Sequence, residues 1–284
     1  MRILVLGASG MLGNAMFRMM VQGGHHEVFG SVRRASVKRF FASEMADNII
    51  TGVDVENIDA LARLFSQVRP EVVINCIGLV KQLAGAVDPL SALPINALLP
   101  HRLARLCGLV DARLVHISTD CVFSGRKGDY LETDEADAQD LYGRSKLIGE
   151  VDYSHAVTLR TSIIGHELYS AHSLIGWFLA QQGNVKGFTQ AIFSGLPACE
   201  FARVICDKVL PRTDLHGLYH VAAQPISKYD LLAIVNREYG KGLKIEPDCS
   251  LKIDRSLNAS RFREATGYVA PAWPDLIAQM RQFR

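Results

Sequence analysis

Apolar residues follow two rhythms along this chain. Short continuous apolar runs at residues 2–6, 27–32, 48–53, 72–74, 113–118 and 157–160 predict buried strands. Between them, apolar positions recur every three to four residues, which predicts helices over 11–22, 57–68, 98–107 and 142–153. Gly23-Gly24 closes the first helix, and Pro70-Glu71 introduces the fourth strand. Strands alternating with helices imply a parallel sheet covered on both faces and joined by right-handed crossovers, a doubly wound α/β fold. Beyond about residue 160 the alternation weakens and Gly and Pro interrupt often. Helices are expected there over 172–182, 201–210, 228–239, 259–266 and 275–281, with one short strand at 217–221. The pattern divides the chain into a larger unit, residues 1–160 plus about 212–225, and a smaller mixed region, 161–211 and 226–284, that covers it.

Between the first strand and first helix stands Gly7-Ala8-Ser9-Gly10-Met11-Leu12-Gly13. Gly7 permits a tight turn, Gly10 lets a backbone approach a pyrophosphate, and Gly13 lets helix and strand pack closely. Free N–H groups and the positive dipole end of the helix, where Met11 and Leu12 lie, favour phosphate. The spacing is G-x-x-G-x-x-G, and its place at a strand–helix junction makes it a Rossmann dinucleotide loop.

The end of the second strand decides which nicotinamide cofactor is taken. An NAD enzyme usually carries Asp or Glu there, for the ribose 2′-hydroxyl. This chain reads Gly30-Ser31-Val32-Arg33-Arg34. No carboxylate repels a 2′-phosphate, and a guanidinium can hold one bidentately and stack on adenine, so NADP is expected. Asp54, with Val55 after the third strand, could accept from the adenine amino group or serve as a turn or N-cap carboxylate. The nicotinamide is expected beside Cys76, Ile77 and Gly78, after the fourth strand.

Tyr142 and Lys146 stand four apart on an expected helix and so share a face. A nearby ammonium favours the phenolate, which predicts a lowered Tyr142 pKa and easier proton transfer. His116-Ile117-Ser118-Thr119-Asp120 ends the fifth strand, where doubly wound sheets bind ligands. A hydroxyl there can donate to the carbonyl oxygen that Tyr142 protonates.

Composition narrows the classes. The chain has 284 residues, 49% hydrophobic and 21% charged, with a formal net charge of +2. Such a charge creates no field for nucleic acid or a membrane surface. No apolar stretch approaches the ~20 residues of a membrane span. The N-terminus enters a strand without the pattern of a signal peptide, so a soluble, cytoplasmic protein is expected. The six cysteines, Cys76, Cys107, Cys121, Cys199, Cys206 and Cys249, contain no C-x-x-C pair. They read as free thiols in a reducing compartment, and no metal site is expected.

Together, these residues resemble the extended short-chain dehydrogenase/reductases, and among them the nucleotide-sugar 4-keto reductases of the dTDP-4-dehydrorhamnose reductase type. The resemblance rests on residues 7–13, on 115–125 (Val-His-Ile-Ser-Thr-Asp-Cys-Val-Phe-Ser-Gly) and on Glu132-Thr133-Asp134. Residues 142–150, 159–162, 217–221 and Arg255-Ser256-Leu257-Asn258 also fit. It covers nearly the whole chain, more loosely after residue 165. It implies Thr119, Tyr142 and Lys146 as catalytic residues, with Lys146 also holding the nicotinamide ribose. Thr119, Cys121 and Tyr142 then face the nucleotide sugar, and residues 165–195 and the C-terminal region help bind it. Two stretches depart from the pattern: Cys121 stands where the family has Tyr, and Ile163-Ile164-Gly165-His166 replaces Trp-Val-Tyr. Two alternatives share the fold. Epimerases and dehydratases keep NAD through an acidic strand end, which Arg33-Arg34 replaces. A silent binding protein, like the regulatory subunit of methionine adenosyltransferase, would not need the three catalytic residues. Family dimers pair the Tyr/Lys helix with the helix before the fifth strand, so a homodimer using Leu98, Leu99, Leu103 and Leu106 is expected, unless these only face the sheet.

Overall fold

Strand β1, Arg2–Leu6, buries four of its five residues, since it is an interior strand of a sheet whose two faces are covered by helices. The computed structural model describes residues 1–80, 87–169, 171 and 173–284. The further strands of the main sheet are β2 (Glu27–Val32), β3 (Ile49–Thr51), β4 (Val72–Asn75), β5 (Arg113–Thr119) and β6 (Ala156–Thr161). Between and after them come α1 (Met11–Gly23), α2 (Ser43–Ala46), α3 (Ile58–Val68), α4 (Pro89–Ala92), α5 (Leu99–Leu109) and α6 (Leu141–Ile148). The second half holds β7 (Ile163–Ile164), α7 (Leu174–Ala180), β8 (Asn184–Phe188), β9 (Ala191–Phe193), β10 (Leu196–Pro197) and α8 (Ala198–Val204). Then come β11 (Gly217–His220), β12 (Ile226–Ser227), α9 (Lys228–Glu238), β13 (Lys244–Asp248), β14 (Ile253–Asp254), α10 (Ser260–Thr266) and α11 (Trp273–Gln282).

The seven-stranded sheet runs β11-β6-β5-β4-β1-β2-β3, every pair parallel, which is the doubly wound α/β fold the alternation implied. Side chains alternate between two cores. Ile3 and Val5 join α1, α8 and α11 on one face, while Leu4 and Leu6 join α3 and α5 on the other. Strand order reverses between β1 and β4, so a crevice opens at their C-terminal ends.

Several boundaries differ from the periodic reading, each for a local reason. The Tyr/Lys helix stops at Ile148 instead of running to residue 153, because Gly149 sits against the Asn96 carbonyl. A Cβ there would lie 2.0 Å from that oxygen. The helix before β5 starts at Leu99, after a π-helical turn over Leu93–Leu98. The helix expected over 201–210 begins at Ala198 and finishes as a π-helical turn, Ile205–Val209. The one expected over 172–182 is Leu174–Ala180, and His172 lies outside the described residues. The third strand is only Ile49–Thr51.

The larger omission is in the second half. Three small sheets, β10-β7, β12-β9-β14 and β13-β8, were invisible as periodicity. Their strands have two to five residues, and β13 holds Pro247 on a half-exposed surface. Among the described residues, no helix is long and apolar enough to cross a membrane. All six cysteines are free thiols. Leu99 and Leu103 are buried against the sheet and Leu106 packs beside them, whereas Leu98 is 48% exposed. Most of the apolar surface of α5 is therefore used inside the protein.

Candidate active site

The glycine loop is built as its spacing suggests. Gly7 has φ +81°, a left-handed conformation, and a Cβ on Gly13 would lie 2.1 Å from the Gly7 carbonyl oxygen. Gly10 is different. It is exposed, and a Cβ there would meet only the Gly7 oxygen at 3.5 Å, so no protein contact demands glycine. It caps α1 without a side-chain hydrogen bond, and the first turn has no acidic residue. The turn starting at Met11 and Leu12 therefore presents amides and a dipole end to the crevice, which fits a pyrophosphate.

Arg33 and Arg34 follow β2 and are exposed. Lys38 and Arg39 come next, and no acidic residue stands between Glu27 and Glu44. This concentrates positive charge just after β2, a composition that suits a 2′-phosphate. Asp54 shows the turn role: its Oδ1 accepts from Glu56 N at 3.1 Å, while the N-cap of α3 is Asn57. Val55 packs on the α3 side of the core.

Cys76, Ile77 and Gly78 continue β4 through the crevice. Asn75 Oδ1 accepts from Ile77 N at 3.1 Å and thereby shapes the turn. Asn75 Nδ2 is 3.1 Å from His116 Nδ1. A Cβ on Gly78 would come within 4.0 Å of Lys146 Nζ, so this strip and Lys146 share one wall. Burial pushes the Cys76 thiol up to about 12, against the opposing pull of Lys146.

Lys146 is buried on α6 and donates from Nζ to the Ile117 carbonyl at 2.8 Å. Thr119 ends β5; its Oγ1 accepts from Cys121 N at 3.1 Å and donates to Asp120 Oδ1 at 3.2 Å. Tyr142 is half-buried beside both Thr119 and Cys121. Gly143 makes this closeness possible, since a Cβ there would lie 2.2 Å from the Cys121 oxygen. Thr119, Cys121 and Tyr142 thus come together, with Lys146 bonded to the same strand two residues before Thr119, while Arg33, Arg34, Asp54 and Val55 follow β2 and β3 on the other side of β1.

The protonation expected of the pair is corrected by the structure. Tyr142's pKa is raised, not lowered: burial dominates, Cys121 adds to it, and the Thr119 hydrogen bond opposes it. Lys146 moves down to about 8, mainly through burial, with Glu150 and Cys76 opposing. Out of water, both charged forms are disfavoured, and this outweighs the mutual help that spacing alone suggested.

Residues not singled out as site residues hold this geometry. Asn96, on the π-helical turn, accepts from Leu79 N at 2.8 Å and donates to Ser145 Oγ at 3.2 Å, tying the β4 strip to α6. Glu150 takes a forked pair of hydrogen bonds from Arg160 on β6, both 2.7 Å, and a third from Ser118 Oγ at 2.7 Å. Arg160 also lies 3.3 Å from His220 Nε2, and His220 N donates to Glu132 Oε1 at 2.8 Å. A buried Arg-Glu pair leaves no periodic signal, although Arg160, Glu132 and Glu150 fall in the motif stretches.

The family described as the RmlD substrate binding domain matches residues 1–256. The chain belongs to this family. A dTDP-4-dehydrorhamnose reductase of Mycolicibacterium smegmatis is 33% identical over 151 residues, 52% of this chain and 40% of that protein. Methionine adenosyltransferase 2 subunit beta of Rattus norvegicus is 30% identical over 149 residues, 52% of this chain and 41% of that protein. Both matches span well under half of those relatives' length. The crystal structure of a hypothetical dTDP-4-dehydrorhamnose reductase from Sulfolobus tokodaii superposes with a TM-score of 0.78 at 25% identity, covering 96% of this chain and 98% of that one.

Proposed function

We propose that this chain reduces a 4-keto nucleotide sugar with NADPH. The observation that carries the reading is that Lys146 lies beside Gly78 and bonds the Ile117 carbonyl on β5, while Tyr142 lies against Thr119 at the end of that strand. The family membership and the reductases among its relatives support it.

Bound NADPH would supply the hydride for the substrate's carbonyl carbon. Tyr142 gives its proton to the forming alkoxide, and Thr119 hydrogen-bonds the same oxygen. A raised pKa suits this direction, because the phenol stays protonated until it is needed. Lys146 holds the nicotinamide ribose, with Cys76, Ile77 and Gly78 beside the nicotinamide. Gly7, Gly10, Met11, Leu12 and Gly13 hold the pyrophosphate. Arg33 and Arg34 hold the 2′-phosphate, with Asp54 and Val55 at the adenine. Residues 161–211 and 226–284 cover the sugar nucleotide. The test is NADPH oxidation against a panel of 4-keto dTDP- and UDP-sugars. Turnover with none of them, despite NADPH binding, would favour a silent binding subunit instead.

Two consequences follow for cofactor binding. NADPH should bind at least about tenfold tighter than NADH, a difference of ~1.4 kcal/mol, and Arg33→Asp should narrow or reverse the preference. Fluorescence titration giving equal affinities for the parent would contradict the role of Arg33-Arg34. Lys146 carries its charge below about pH 8 and loses it above. NADPH affinity should therefore fall as pH rises from 7 to 9.5, by roughly ten- to thirtyfold, since the loss grows at most about tenfold per pH unit above 8. An unchanged dissociation constant across that window would remove Lys146 from the ribose contact.

A further inference from the structure

Helix α1 turns Met11, Asn14 and Arg18 to one side, since positions three and four apart share a face. That face meets His166 after β7, the start of α8, and Met280 and Phe283 in and just after α11. The elements do not close on one another. A cavity of about 30 Å³ remains between them, partly open to solvent.

The polar side chains at this cavity are donors in want of acceptors. Asn14 is 7% exposed, and its amide nitrogen is buried with no partner among the described residues. Leaving such an amide unbonded costs stability, and native structures seldom do so unless a ligand or water meets it. One turn further along, Arg18 is half-buried and lays its guanidinium over the Phe283 ring, 4.6 Å from the centroid. Stacking uses the face of the guanidinium and leaves its edge N–H groups for an acceptor. No described carboxylate lies within ion-pair distance of Arg18. His166 sets Nε2 2.8 Å from Tyr239 Oη, and its Nδ1 has no partner among the described residues.

No Asp or Glu lines the cavity. The carboxylates nearest in sequence to its lining are engaged: Glu167 accepts from Ser173 N at 2.8 Å, and Glu200 accepts from Tyr268 and pairs with Arg203. Burial pushes the Cys199 thiol at the cavity wall up to about 11, so it adds no charge. Burial first, and then the Arg284 cation, hold His166 below its usual pKa, so the ring is neutral. The charge that the cavity presents is that of Arg18.

We infer that this cavity is a binding site for a compact oxyanion, a phosphate ion or the carboxylate of a small acid, separate from the nucleotide crevice. The guanidinium edge of Arg18 takes two of its oxygens. The Asn14 amide, unheld by any partner, turns its NH2 to a third contact, and His166 donates from Nδ1 while Nε2 accepts from the Tyr239 hydroxyl. Met11, Met280 and Phe283 supply the apolar wall. The volume admits a few heavy atoms and excludes a sugar or a nucleotide.

Isothermal titration of the full-length protein tests the site with inorganic phosphate, acetate and succinate, at an ionic strength held constant with NaCl. Met11 also stands in the glycine loop, so NADPH is present at saturation to keep phosphate out of that loop. The parent should bind at least one of these oxyanions saturably. Binding of phosphate alone or of the carboxylates alone identifies the source. Arg18→Gln should weaken the bound oxyanion by about ten- to a hundredfold, and Arg18→Lys by less, because it keeps the charge without the fork. Asn14→Leu should weaken it by about fivefold, yet without oxyanion its Tm should match or exceed the parent's, since an unbonded buried amide is gone. NADPH affinity should stay parental in all three variants. A parent that binds no oxyanion would overturn the inference, and so would Arg18→Gln that binds as tightly as the parent. If Arg18→Gln fails to fold, parental affinity in both Arg18→Lys and Asn14→Leu is the overturning result. A parent that binds no NADPH would instead count against the reductase reading and leave the comparison of parent with variants intact.

Discussion

Tyr142→Phe should lower kcat by about 10²- to 10⁴-fold, the usual contribution of a positioned proton donor, and leave folding and NADPH affinity as they are. The substitution removes one oxygen from a half-buried ring. Nothing that positions α6 depends on that oxygen. The helix is N-capped by Asp140, whose Oδ1 accepts from Gly143 N at 2.8 Å. It is seated by the close approaches of Gly143 to Cys121 and Gly149 to Asn96. The loss should fall on kcat and kcat/KM alike, as expected for a group acting in the transition state. Because burial keeps the phenol protonated, Tyr142 should add no downward step to the parent's pH–rate profile near neutrality. Near-parental activity of Tyr142→Phe on a turned-over keto-sugar would place the proton donor elsewhere.

The largest loss of stability should come from Glu150→Ala. Arg160 is 4% exposed and its charge is met by the forked Glu150 carboxylate, at 2.7 Å on both sides. His220 cannot take over: burial first, and then Arg160 itself, bring its pKa down to about 3, so the ring is neutral. Its Nε2 accepts from Arg160 while Nδ1 donates to the Tyr130 oxygen at 3.0 Å. The Phe123 ring, 5.1 Å from the guanidinium, offers only its face. Stranding a buried charge costs about 3–5 kcal/mol, which at ~2–4 °C per kcal/mol lowers Tm by roughly 6–20 °C. Ser118 also loses its acceptor, one residue before Thr119, so kcat should fall as well. The double variant Glu150→Leu/Arg160→Met should be more stable than Glu150→Ala, since removing both charges removes the desolvation cost. Calorimetric unfolding checks both; a Glu150→Ala Tm within about 2 °C of the parent, under 1 kcal/mol, would mean that water or another group solvates Arg160.

Much of this protein is legible in its sequence because the responsible forces are local. Apolar runs at residues 2–6, 72–74 and 113–118 are strands wherever a parallel sheet is covered on both faces. Gly7 and Gly13 announce a phosphate turn, because only glycine fits the left-handed turn and the helix–strand contact. Tyr142 and Lys146 share a helix face by spacing alone. Tertiary structure decided what depends on contacts between distant segments. The small sheets of the second half form because β8 and β9 find β13 and β14 some sixty residues away, and such short strands carry no period of their own. α6 ends where Gly149 comes against the Asn96 carbonyl. The protonation of Tyr142 and Lys146 follows from how thoroughly the fold removes water from them, which outweighs their nearness in sequence. Arg255 stands 134 residues from Cys121 and meets it only because segment 253–258 pairs with the loop that follows Thr119.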